Sequence, residues 1–360
     1  MFESVATDGH EEVLFGYDPV SGLRTIIAVH STALGPALGG TRFYPYESEE
    51  TALFDVLRLA RGMTYKAAAA GLDLGGGKAV VIGDPRSVGT ERERLLRAYG
   101  RIVDSLRGRY ITAEDVGTTS ADMEMIRRET RWALGIPVAE GGSGDPSPVT
   151  ARGVLVAMHA VAEHLWGSPD LTGRRIAIQG VGKVGGALAG LLAEAGCELV
   201  VADAYEPAAV AVSESLMAKR VEPDEILTVD CDILAPCALG AVLNPETIPA
   251  LSCQAIVGSA NNQLLHDGDA DEIQRREILY APDFVVNAGG LINVAEELRG
   301  YAAERALHRV DQIRSATAAI LEAAEREGVT PQAAAARRAE RRLKEIGDLR
   351  RFRRSGDDFN

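Results

Sequence analysis

Two kinds of apolar periodicity alternate along the first part of the chain. Short β-branched runs predict strands at residues 25–30, 79–82 and 109–112. Apolar side chains that recur at helical spacing predict helices over residues 50–63 and 91–106. Strands that alternate with helices in this way are typical of an α/β fold.

A segment rich in glycine and proline, residues 141–148, interrupts the pattern and predicts a hinge or linker. After it, a helix is predicted over residues 150–166, and a second region of alternating strands and helices begins at Leu171. A long helical pattern covers residues 302–327. With 360 residues, the chain is long enough for two domains, which we expect to be joined at the linker.

Charge and composition exclude several classes of protein. The net charge of −14 argues against general binding to nucleic acid or to anionic membranes. No apolar run reaches the roughly 18 residues of a transmembrane helix, and the N-terminal residues lack the pattern of a signal peptide. The four cysteines have no Cys-x-x-Cys spacing, so we expect reduced thiols in a cytoplasmic protein without a metal site.

The end of the chain has the opposite charge. Residues 334–354 contain nine basic and three acidic side chains. Such a segment could bind nucleic acid. Because the chain contains no recognised nucleic-acid module, we favour a helix that packs against the acidic body of the protein or against a neighbouring subunit.

A glycine-rich turn follows a predicted strand at residues 175–179, and a predicted helix and a second strand follow the turn. The second strand, at residues 198–202, ends in Asp203. This order of strand, turn, helix, strand and acid is the context that a dinucleotide site requires. Asp203 can accept hydrogen bonds from the adenosine ribose and would repel a 2′-phosphate, which favours NAD over NADP.

Each glycine of this turn has a distinct physical role. Gly180 permits the tight turn, Gly182 lets the backbone approach a pyrophosphate, and Gly185 allows close packing of helix against strand. Lys183 and Val184 lie where the helix begins, and the free N–H groups of a helix N-terminus bind phosphate. We therefore assign all five positions to cofactor binding.

Later apolar runs end in small or amide side chains. The run at 231–238 includes Ala235, Cys237 and Ala238, which we expect beside the cofactor. Asn261 and Asn262 end the next run, and Asn287 follows the run at 284–286 in the same way. Ligands of doubly wound sheets bind at the carboxyl ends of strands, so Asn261 and Asn287 are candidates to contact nicotinamide, ribose or substrate. The alternative for Asn261 and Asn262 is a turn-forming pair.

Two lysines, Lys66 and Lys78, bracket an almost uncharged run that contains three consecutive glycines, 75–77. Glycine contributes no packing, so a triple glycine suggests that something approaches the backbone closely. Burial and a second lysine nearby would both disfavour the ammonium form, and such an amine can act as a general base. The alternative is a solvated lysine on a glycine-rich turn.

These segments resemble the amino-acid dehydrogenases that act on glutamate, leucine, phenylalanine and valine. The resemblance covers nearly the whole chain, and its most specific segment is 72–85 around Lys78, with further matches at 38–42, 112–118, 259–263 and 287–290. Within the family the sequence resembles the bacterial leucine and valine dehydrogenases in particular. A symmetric homo-oligomer, dimer or octamer, is implied.

The resemblance also implies a domain organisation. Residues 1–145 would form an N-terminal α/β domain for substrate binding and oligomerisation, with residues 330–360 packing back on it. Residues 146–329 would form a Rossmann doubly wound NAD-binding domain, with a cleft between the two domains.

The resemblance further implies residue roles. Lys66 would bind the substrate α-carboxylate, and Lys78 would activate a water molecule. Asp115 would exchange protons with the substrate amino group. Gly40 would provide backbone contacts, and Thr150 would lie near the nicotinamide. Asn261 would contact both substrate and cofactor.

The implied reaction is reversible, NAD-dependent oxidative deamination of an L-amino acid to a 2-oxo acid and ammonium. Glutamate enzymes of the family have a lysine where this chain has Leu38. Desolvation of an unpaired substrate carboxylate there would cost roughly several kcal/mol. Leu38, Ala113, Leu291 and Val294 are candidate pocket walls, and all are aliphatic, which suits a branched side chain. The bulk of Leu291 favours valine or isoleucine over leucine and disfavours phenylalanine.

Two alternatives remain open at this point. One is a phenylalanine dehydrogenase of the same family, and the other is a non-catalytic relative that binds NAD. Ser259 replaces an alanine that is common in the family, and the sequence does not explain it.

Overall fold

The computed structural model describes residues 5–6, 9–238 and 240–349. The chain forms two compact units. The first runs from the N-terminus to Asp145 and takes in Val294–Ala302 and the segment from Ala339. The second comprises Pro146–Asn293 and Ala303–Arg338.

Two short segments therefore lie outside the predicted division. Residues 294–302 group with the first unit, where the Glu297 carboxylate accepts hydrogen bonds from the Gly135 and Ser143 amides at 3.0 and 2.6 Å. Residues 330–338 group with the second unit, where Arg337 pairs with Glu327. The first placement depends on contacts between residues that are distant in sequence. The second depends on a contact across the break between two helices.

The first unit is built on one mixed sheet with the strand order β1-β2-β4-β3-β5. Strand β3 is parallel to both β4 and β5, whereas β2 is antiparallel to β1 and β4. The strands are β1 (Glu12–Asp18), β2 (Leu23–Ser31), β3 (Ala37–Tyr44), β4 (Gly75–Ile82) and β5 (Tyr110–Glu114). Its helices before the linker are α1 (Glu49–Ala69), α2 (Gly89–Ser105) and α3 (Ser120–Arg127).

The two faces of this sheet have different covers. Helix α1 packs on one face, where Val56 and Ala60 form a buried cluster with Ile26 and Val80. On the opposite face, Tyr99 and Val103 of α2 are buried with strand residues that include Val81. The predicted strands and helices of this region are confirmed, but α1 continues to Ala69 and so includes Lys66.

The three consecutive glycines lie inside strand β4, so the alternative of a glycine-rich turn is wrong. The predicted close approach is present, and the approaching groups belong to the chain itself. A Cβ at Gly75 would be 1.9 Å from the Ser31 carbonyl oxygen, and one at Gly76 would be 2.0 Å from the Thr64 nitrogen. Gly76 lets α1 lie directly on the strand that carries Lys78.

The second unit contains a parallel six-stranded sheet with the order β11-β10-β9-β6-β7-β8. Its strands are β6 (Arg175–Gln179), β7 (Glu198–Ala202), β8 (Lys219–Arg220), β9 (Cys231–Pro236), β10 (Cys253–Ile256) and β11 (Leu279–Tyr280). The chain builds outward from β6 on one side and then returns to β9 on the other. The space beyond the ends of β6 and β9 is therefore a topological switch point, where doubly wound sheets bind ligands.

Helices account for most of the remaining described residues. They are α4 (Ser147–Trp166), α5 (Lys183–Glu194), α6 (Glu206–Leu216), α7 (Asp269–Arg275), α8 (Asp283–Val286), α9 (Gly289–Ala295), α10 (Ala303–Glu327) and α11 (Pro331–Leu349). The run 284–286, which was expected to resemble the preceding strands, forms α8 instead. Pro282 precedes this helix, and proline cannot donate the hydrogen bond that an inner strand requires.

The basic segment is helical as far as the structure describes it. Within the first unit, Ala339 of α11 packs with Leu34 and Ala68. Arg342 of the same helix forms an ion pair with Asp73 at 2.9 Å. Arg350, Arg351, Arg353 and Arg354 lie outside the described residues. Among the helices that are described, none is long and apolar enough to cross a membrane.

Candidate functional site

Lys78 lies on the face of the first sheet that α1 covers. Side chains alternate along a strand, so Lys78 shares its face with Gly76 and Val80. Val80 packs against α1, and Lys78 itself is only 5% exposed. The ammonium group of Lys78 therefore lies in a largely dehydrated environment between helix and sheet.

Asp115 provides the nearest opposite charge. It follows β5, and its Oδ2 lies 3.0 Å from Lys78 Nζ. The turn that carries Asp115 is held by Thr118, whose hydroxyl accepts from the Asp115 amide and donates to the Thr41 carbonyl. A Cβ at Gly40 would lie 2.8 Å from the Cβ of Asp115. Gly40 thus leaves the space that Asp115 occupies.

Three further side chains extend this pair into a longer polar chain. Arg42 Nε donates to Asp115 Oδ2 at 3.1 Å, and its Nη1 donates to Asp55 Oδ2 at 2.9 Å. The Tyr46 hydroxyl donates to the same Asp55 oxygen at 2.6 Å. None of Arg42, Asp55 and Tyr46 was predicted from the sequence to have a role. The available signal was Asp55, an acid next to the buried apolar residues of α1.

Burial and neighbouring charges shift both members of the pair. Burial lowers the pKa of Lys78, and the Arg42 cation lowers it further, although Asp115 opposes both effects. Burial by itself would raise the pKa of Asp115, but Lys78 and Arg42 outweigh it and bring the pKa to about 2. The predicted desolvation of Lys78 is therefore present, and the main like charge is Arg42 rather than Lys66.

Other residues predicted to contact the substrate lie on the sheet face that carries Lys78. Gly40 pairs with Ala113 between β3 and β5, and Leu38 pairs with Gly76 between β3 and β4. Leu38 is 1% exposed and Ala113 is 7% exposed. Lys66 lies in the last turn of the covering helix α1 and is half-buried. Strand pairing thus places Leu38, Gly40 and Ala113 on the sheet face that carries Lys78, and the role of Lys66 stays a prediction.

The glycine-rich turn of the second unit has the geometry that the sequence predicted. Gly180 has a φ of +89°, and a Cβ at Gly185 would lie 1.9 Å from the Gly180 carbonyl oxygen. By contrast, a Cβ at Gly182 would meet nothing within 4 Å. Gly182 is the N-cap of α5 and provides no side-chain cap, so the open side of this helix terminus exposes backbone N–H groups.

Asp203 lies beside this turn at the end of β7. Its carboxylate accepts hydrogen bonds from the Val181 amide at 2.7 Å and from the Tyr205 amide at 2.8 Å. Lys183 and Val184 form the first turn of α5. Asp203 is therefore part of the framework that fixes the glycine-rich turn.

The end of β9 packs against the same turn. The Cys237 amide donates to the Gln179 carbonyl at 2.7 Å, and a Cβ at Gly180 would lie 2.6 Å from the Cβ of Ala238. Ala235 is fully buried within β9. Burial raises the pKa of the Cys237 thiol, and hydrogen bonding with Ser259 partly offsets that rise.

The amide side chains form a second cluster. Asn287 Nδ2 donates to Asn261 Oδ1 at 3.0 Å and to the Ser259 carbonyl at 3.1 Å. Within the described chain, Asn287 Oδ1 is buried and has no hydrogen-bond partner. Asn262 has a φ of 52°, so the turn interpretation applies to Asn262 while the Asn261 side chain joins the cluster.

Thr150 and the remaining pocket candidates lie on helices α4 and α9. The Thr150 hydroxyl donates to the Pro146 carbonyl, and a Cβ at Gly290 would lie 2.7 Å from that hydroxyl oxygen. Leu291 belongs to the second unit and is 8% exposed, whereas Val294 belongs to the first and is 5% exposed. The roles of Leu291 and Val294 as pocket walls stay predictions.

Family models match both units of the chain. Residues 10–132 match the Glu/Leu/Phe/Val dehydrogenase dimerisation domain. Residues 141–208 and 201–350 match the model of glutamate, leucine, phenylalanine and valine dehydrogenases. The chain belongs to the Glu/Leu/Phe/Val dehydrogenase family. The resemblance inferred from the sequence is confirmed, as is the predicted fold class.

Individual relatives are similar over their full length. A leucine dehydrogenase of Bacillus cereus is 51% identical over 360 residues, which is 100% of this chain and 98% of the relative. A valine dehydrogenase of Streptomyces virginiae is 50% identical, covering 93% of this chain and 94% of the relative. The crystal structure of an L-tryptophan dehydrogenase from Nostoc punctiforme superimposes with a TM-score of 0.81 at 45% identity, covering 96% and 99% of the two chains.

The dehydrogenase family and the Rossmann-like sheet imply a nicotinamide cofactor. The residues of the second unit fit such a group. The open side of Gly182 and the uncapped first turn of α5 can accept a pyrophosphate. The Oδ1 of Asn287, beside Asn261, is a buried acceptor without a partner among the described residues, and an amide donor would satisfy it.

Proposed function

We propose that this protein catalyses the reversible, NAD-dependent oxidative deamination of a branched-chain L-amino acid to its 2-oxo acid, ammonium and NADH. The observation that carries the proposal is the buried Lys78 amine, 3.0 Å from Asp115, on a sheet face that also carries aliphatic Leu38. Full-length similarity to leucine and valine dehydrogenases supports the same substrate class.

Lys78 is the proposed general base. Burial lowers its pKa and so favours the neutral amine, which can take a proton from the water that attacks the iminium carbon formed once a hydride has left the substrate Cα. Asp115 has the opposite property. With a pKa of about 2 it is ionised at neutral pH and can accept a proton from the substrate amino group. The two residues thus divide the proton transfers between them.

Lys66 is the proposed partner of the substrate carboxylate. It lies half-buried at the end of α1, and an ammonium group there can pair with a carboxylate. Gly40 would provide backbone contacts. The aliphatic Leu38 and Ala113 provide no charge for a second carboxylate, which supports a branched-chain substrate over glutamate.

The second unit is proposed to bind NAD. When bound, the nicotinamide accepts the hydride that leaves the substrate Cα. The α5 N-terminus would hold the pyrophosphate, and the Asp203 carboxylate would face the adenosine ribose. The negative charge of Asp203 disfavours a 2′-phosphate, which supports NAD over NADP. Thr150, Asn261 and Asn287 are proposed to line the nicotinamide end of the site.

Assembly and location follow from the same proposal. A symmetric homo-oligomer, dimer or octamer, is proposed from the match to a dimerisation domain, and light scattering on the purified protein measures it. A cytoplasmic location is proposed because NAD and free amino acids are metabolites of that compartment.

A substrate panel tests the proposal directly. The purified protein is incubated with NAD and with L-valine, L-isoleucine, L-leucine, L-phenylalanine or L-glutamate, and NADH absorbance is followed. We expect the three branched-chain substrates to give the highest kcat/KM. Preference for phenylalanine would instead indicate the related phenylalanine dehydrogenase activity. Absence of NADH with every substrate, at cofactor concentrations that bind, would indicate a non-catalytic relative.

A further inference from the structure

The Arg42 guanidinium bridges two carboxylates of the first unit. Its Nε donates to Asp115 Oδ2 at 3.1 Å, and its Nη1 donates to Asp55 Oδ2 at 2.9 Å. The Tyr46 hydroxyl holds the same Asp55 oxygen at 2.6 Å. Arg42, Asp55 and Asp115 are each about one-fifth exposed at most, at 21%, 18% and 18% of their side chains.

We infer that Arg42 is the positioning residue of the site: it fixes the carboxylate of Asp115 against the amine of Lys78, and Asp55 and Tyr46 hold Arg42 in place. The inference rests on the proposed function for the reaction that this pair performs. Arg42 acts through Asp115 and Lys78 rather than through the substrate.

Both contacts of Asp115 converge on one oxygen. Lys78 Nζ and Arg42 Nε lie 3.0 and 3.1 Å from Oδ2. In the described part of the chain, Oδ1 receives no side-chain hydrogen bond. Two donors on Oδ2 restrict rotation of the carboxylate, so Oδ1 is the oxygen that remains to exchange a proton with a substrate amino group. Lys78 as the only donor would leave the carboxylate free to turn about that contact.

A guanidinium suits this position better than an ammonium. Its planar fork can donate to two different carboxylates at once with fixed geometry, whereas an ammonium is a point charge on a flexible stem. Asp55 belongs to α1, so its hydrogen bond with Arg42 Nη1 joins the outer end of the fork to that helix, and Tyr46 holds Asp55 in place. Arg42 therefore links α1, β3 and the turn after β5 into one rigid unit.

Arg42 also acts on the proton affinities of the pair. The charged groups that act on Lys78 are Asp115 after β5, Arg42 on β3 and Asp55 on α1. His30 on β2 lies on the same face and hydrogen-bonds Thr64. Arg42 lowers the pKa of Lys78 and the pKa of Asp115. Loss of Arg42 would raise both and leave Asp115 to pair with Lys78 alone, which raises the pKa of Lys78 further.

The first test compares Arg42→Gln and Arg42→Lys. For Arg42→Gln we expect kcat/KM to fall by roughly 100-fold, as for a misplaced catalytic group, and its rise with pH to move to higher pH. Arg42→Lys keeps the charge without the fork, so the pH profile should return toward that of the wild type while the rate recovers only in part.

The matched control is Arg92, a second semi-buried arginine of the same unit. Arg92 Nε and Nη2 hold the two oxygens of Asp122 at 2.7 and 2.8 Å, and Nη2 also donates to the Gly117 carbonyl in the turn after β5. Arg92 thus supports the same turn without contacting the carboxylate of Asp115. Arg92→Gln should lower the thermal stability and leave the pH profile unchanged. If Arg92→Gln moved the profile as far as Arg42→Gln, a general structural effect would explain both and the inference would be wrong.

A second readout does not depend on turnover. The chain contains only five lysines, so lysine labelled with ¹³C at Cε gives few NMR signals, and Lys78→Arg identifies the signal of Lys78. We expect the titration of Lys78 to move to higher pH in Arg42→Gln. If Arg42→Gln does not fold, Arg42→Gln combined with Asp55→Asn removes both charges of the pair and takes its place.

The two hypotheses fail in different ways. If wild-type protein shows no dehydrogenase activity but the Lys78 titration moves as expected, the proposed function is wrong and the positioning role stands. If wild-type protein is active but neither the Lys78 titration nor the pH profile moves in Arg42→Gln, the positioning role is wrong and the proposed function stands.

Discussion

The carboxylate of Asp203 accepts a hydrogen bond of 2.7 Å from the backbone amide of Val181, inside the glycine-rich turn. The same carboxylate accepts from the Tyr205 amide at 2.8 Å. Asp203 is thus both a fixed element of the turn and the proposed partner of the adenosine ribose. The two hydrogen bonds fix the position of its carboxylate at the end of β7.

Replacement of Asp203 tests the cofactor preference. In Asp203→Ser the negative charge is lost, and one hydroxyl replaces two acceptor oxygens. We expect the ratio of kcat/KM for NAD to that for NADP to fall by about tenfold or more, equivalent to about 1.4 kcal/mol. Steady-state kinetics with both cofactors measure this ratio.

Asp232→Ser is the control for Asp203. Asp232 also accepts from a backbone amide, that of Arg175 at 2.8 Å, but at the opposite end of the strands. The cofactor ratio should stay at the wild-type value in this variant. An unchanged ratio in Asp203→Ser would count against the ribose role.

Lys78→Ala tests the general base. The substitution removes the buried amine, and we expect kcat to fall by at least about 100-fold, the lower range for general acid–base catalysis. NAD affinity, measured by calorimetry, should be unchanged because the residues proposed to bind the cofactor belong to the other unit. Lys219→Ala, at an exposed lysine of β8, should keep full activity. Near wild-type turnover in Lys78→Ala would show that another group is the base.

The pH dependence of Lys78 provides a prediction with a definite sign. Oxidative deamination requires the neutral amine, so kcat/KM should rise with pH, and the midpoint of the rise should lie below the ordinary lysine value of 10.5 because burial lowers the pKa. Asp115 raises the pKa of Lys78, so Asp115→Asn should move the ¹³C titration of Lys78 to lower pH. Arg42→Gln should move it in the opposite direction. A shift to higher pH in Asp115→Asn would contradict the assigned electrostatics.

Gly76→Ala tests the close packing of α1 on β4. The new Cβ would lie 2.0 Å from the Thr64 nitrogen and 2.3 Å from its hydroxyl oxygen, so the helix must move. We expect a loss of about 1–3 kcal/mol in the free energy of unfolding, as for other overpacked cores. Activity should fall as well, because α1 carries Lys66 and Asp55. Denaturant unfolding and kcat/KM measure the two effects.

Gly62→Ala is the matched control within the same helix. A Cβ at Gly62 meets nothing within 4 Å. Alanine there should stabilise the protein by roughly 0.5–1 kcal/mol, because glycine is the poorer helix former. Equal destabilisation by both substitutions would indicate that the contact with Thr64 is not the cause.

Leu291→Ala tests the predicted pocket wall. Shortening this buried side chain should favour the longer leucine over valine, and methylene-scale discrimination predicts a change of roughly 10- to 200-fold in the ratio of their kcat/KM values. Leu298→Ala, at an exposed leucine of the same region of the chain, should leave the ratio unchanged. A constant ratio in Leu291→Ala would remove Leu291 from the pocket.

Local patterns in the sequence were sufficient for many elements. The strands at 175–179 and 198–202 have the predicted bounds, because short β-branched runs between turn residues leave few alternatives. The glycine-rich turn was predictable for the same reason, since Gly180 and Gly185 are required by contacts within a few residues. Lys78 was recognisable because a charged residue within an apolar run is costly to bury unless it has a function.

Only the tertiary structure decided which groups surround Lys78. Arg42 and Asp115 are separated by 73 positions in sequence and meet because β3 pairs with β5. No periodicity in the sequence indicates such a pairing, so the sequence pointed to Lys66 as the like charge and gave no signal for Arg42. The sequence determined which elements form and where glycine must stand, because those depend on neighbours along the chain. The charges that set the proton affinity of Lys78 depend on neighbours in space, and these the fold alone brings within hydrogen-bonding distance.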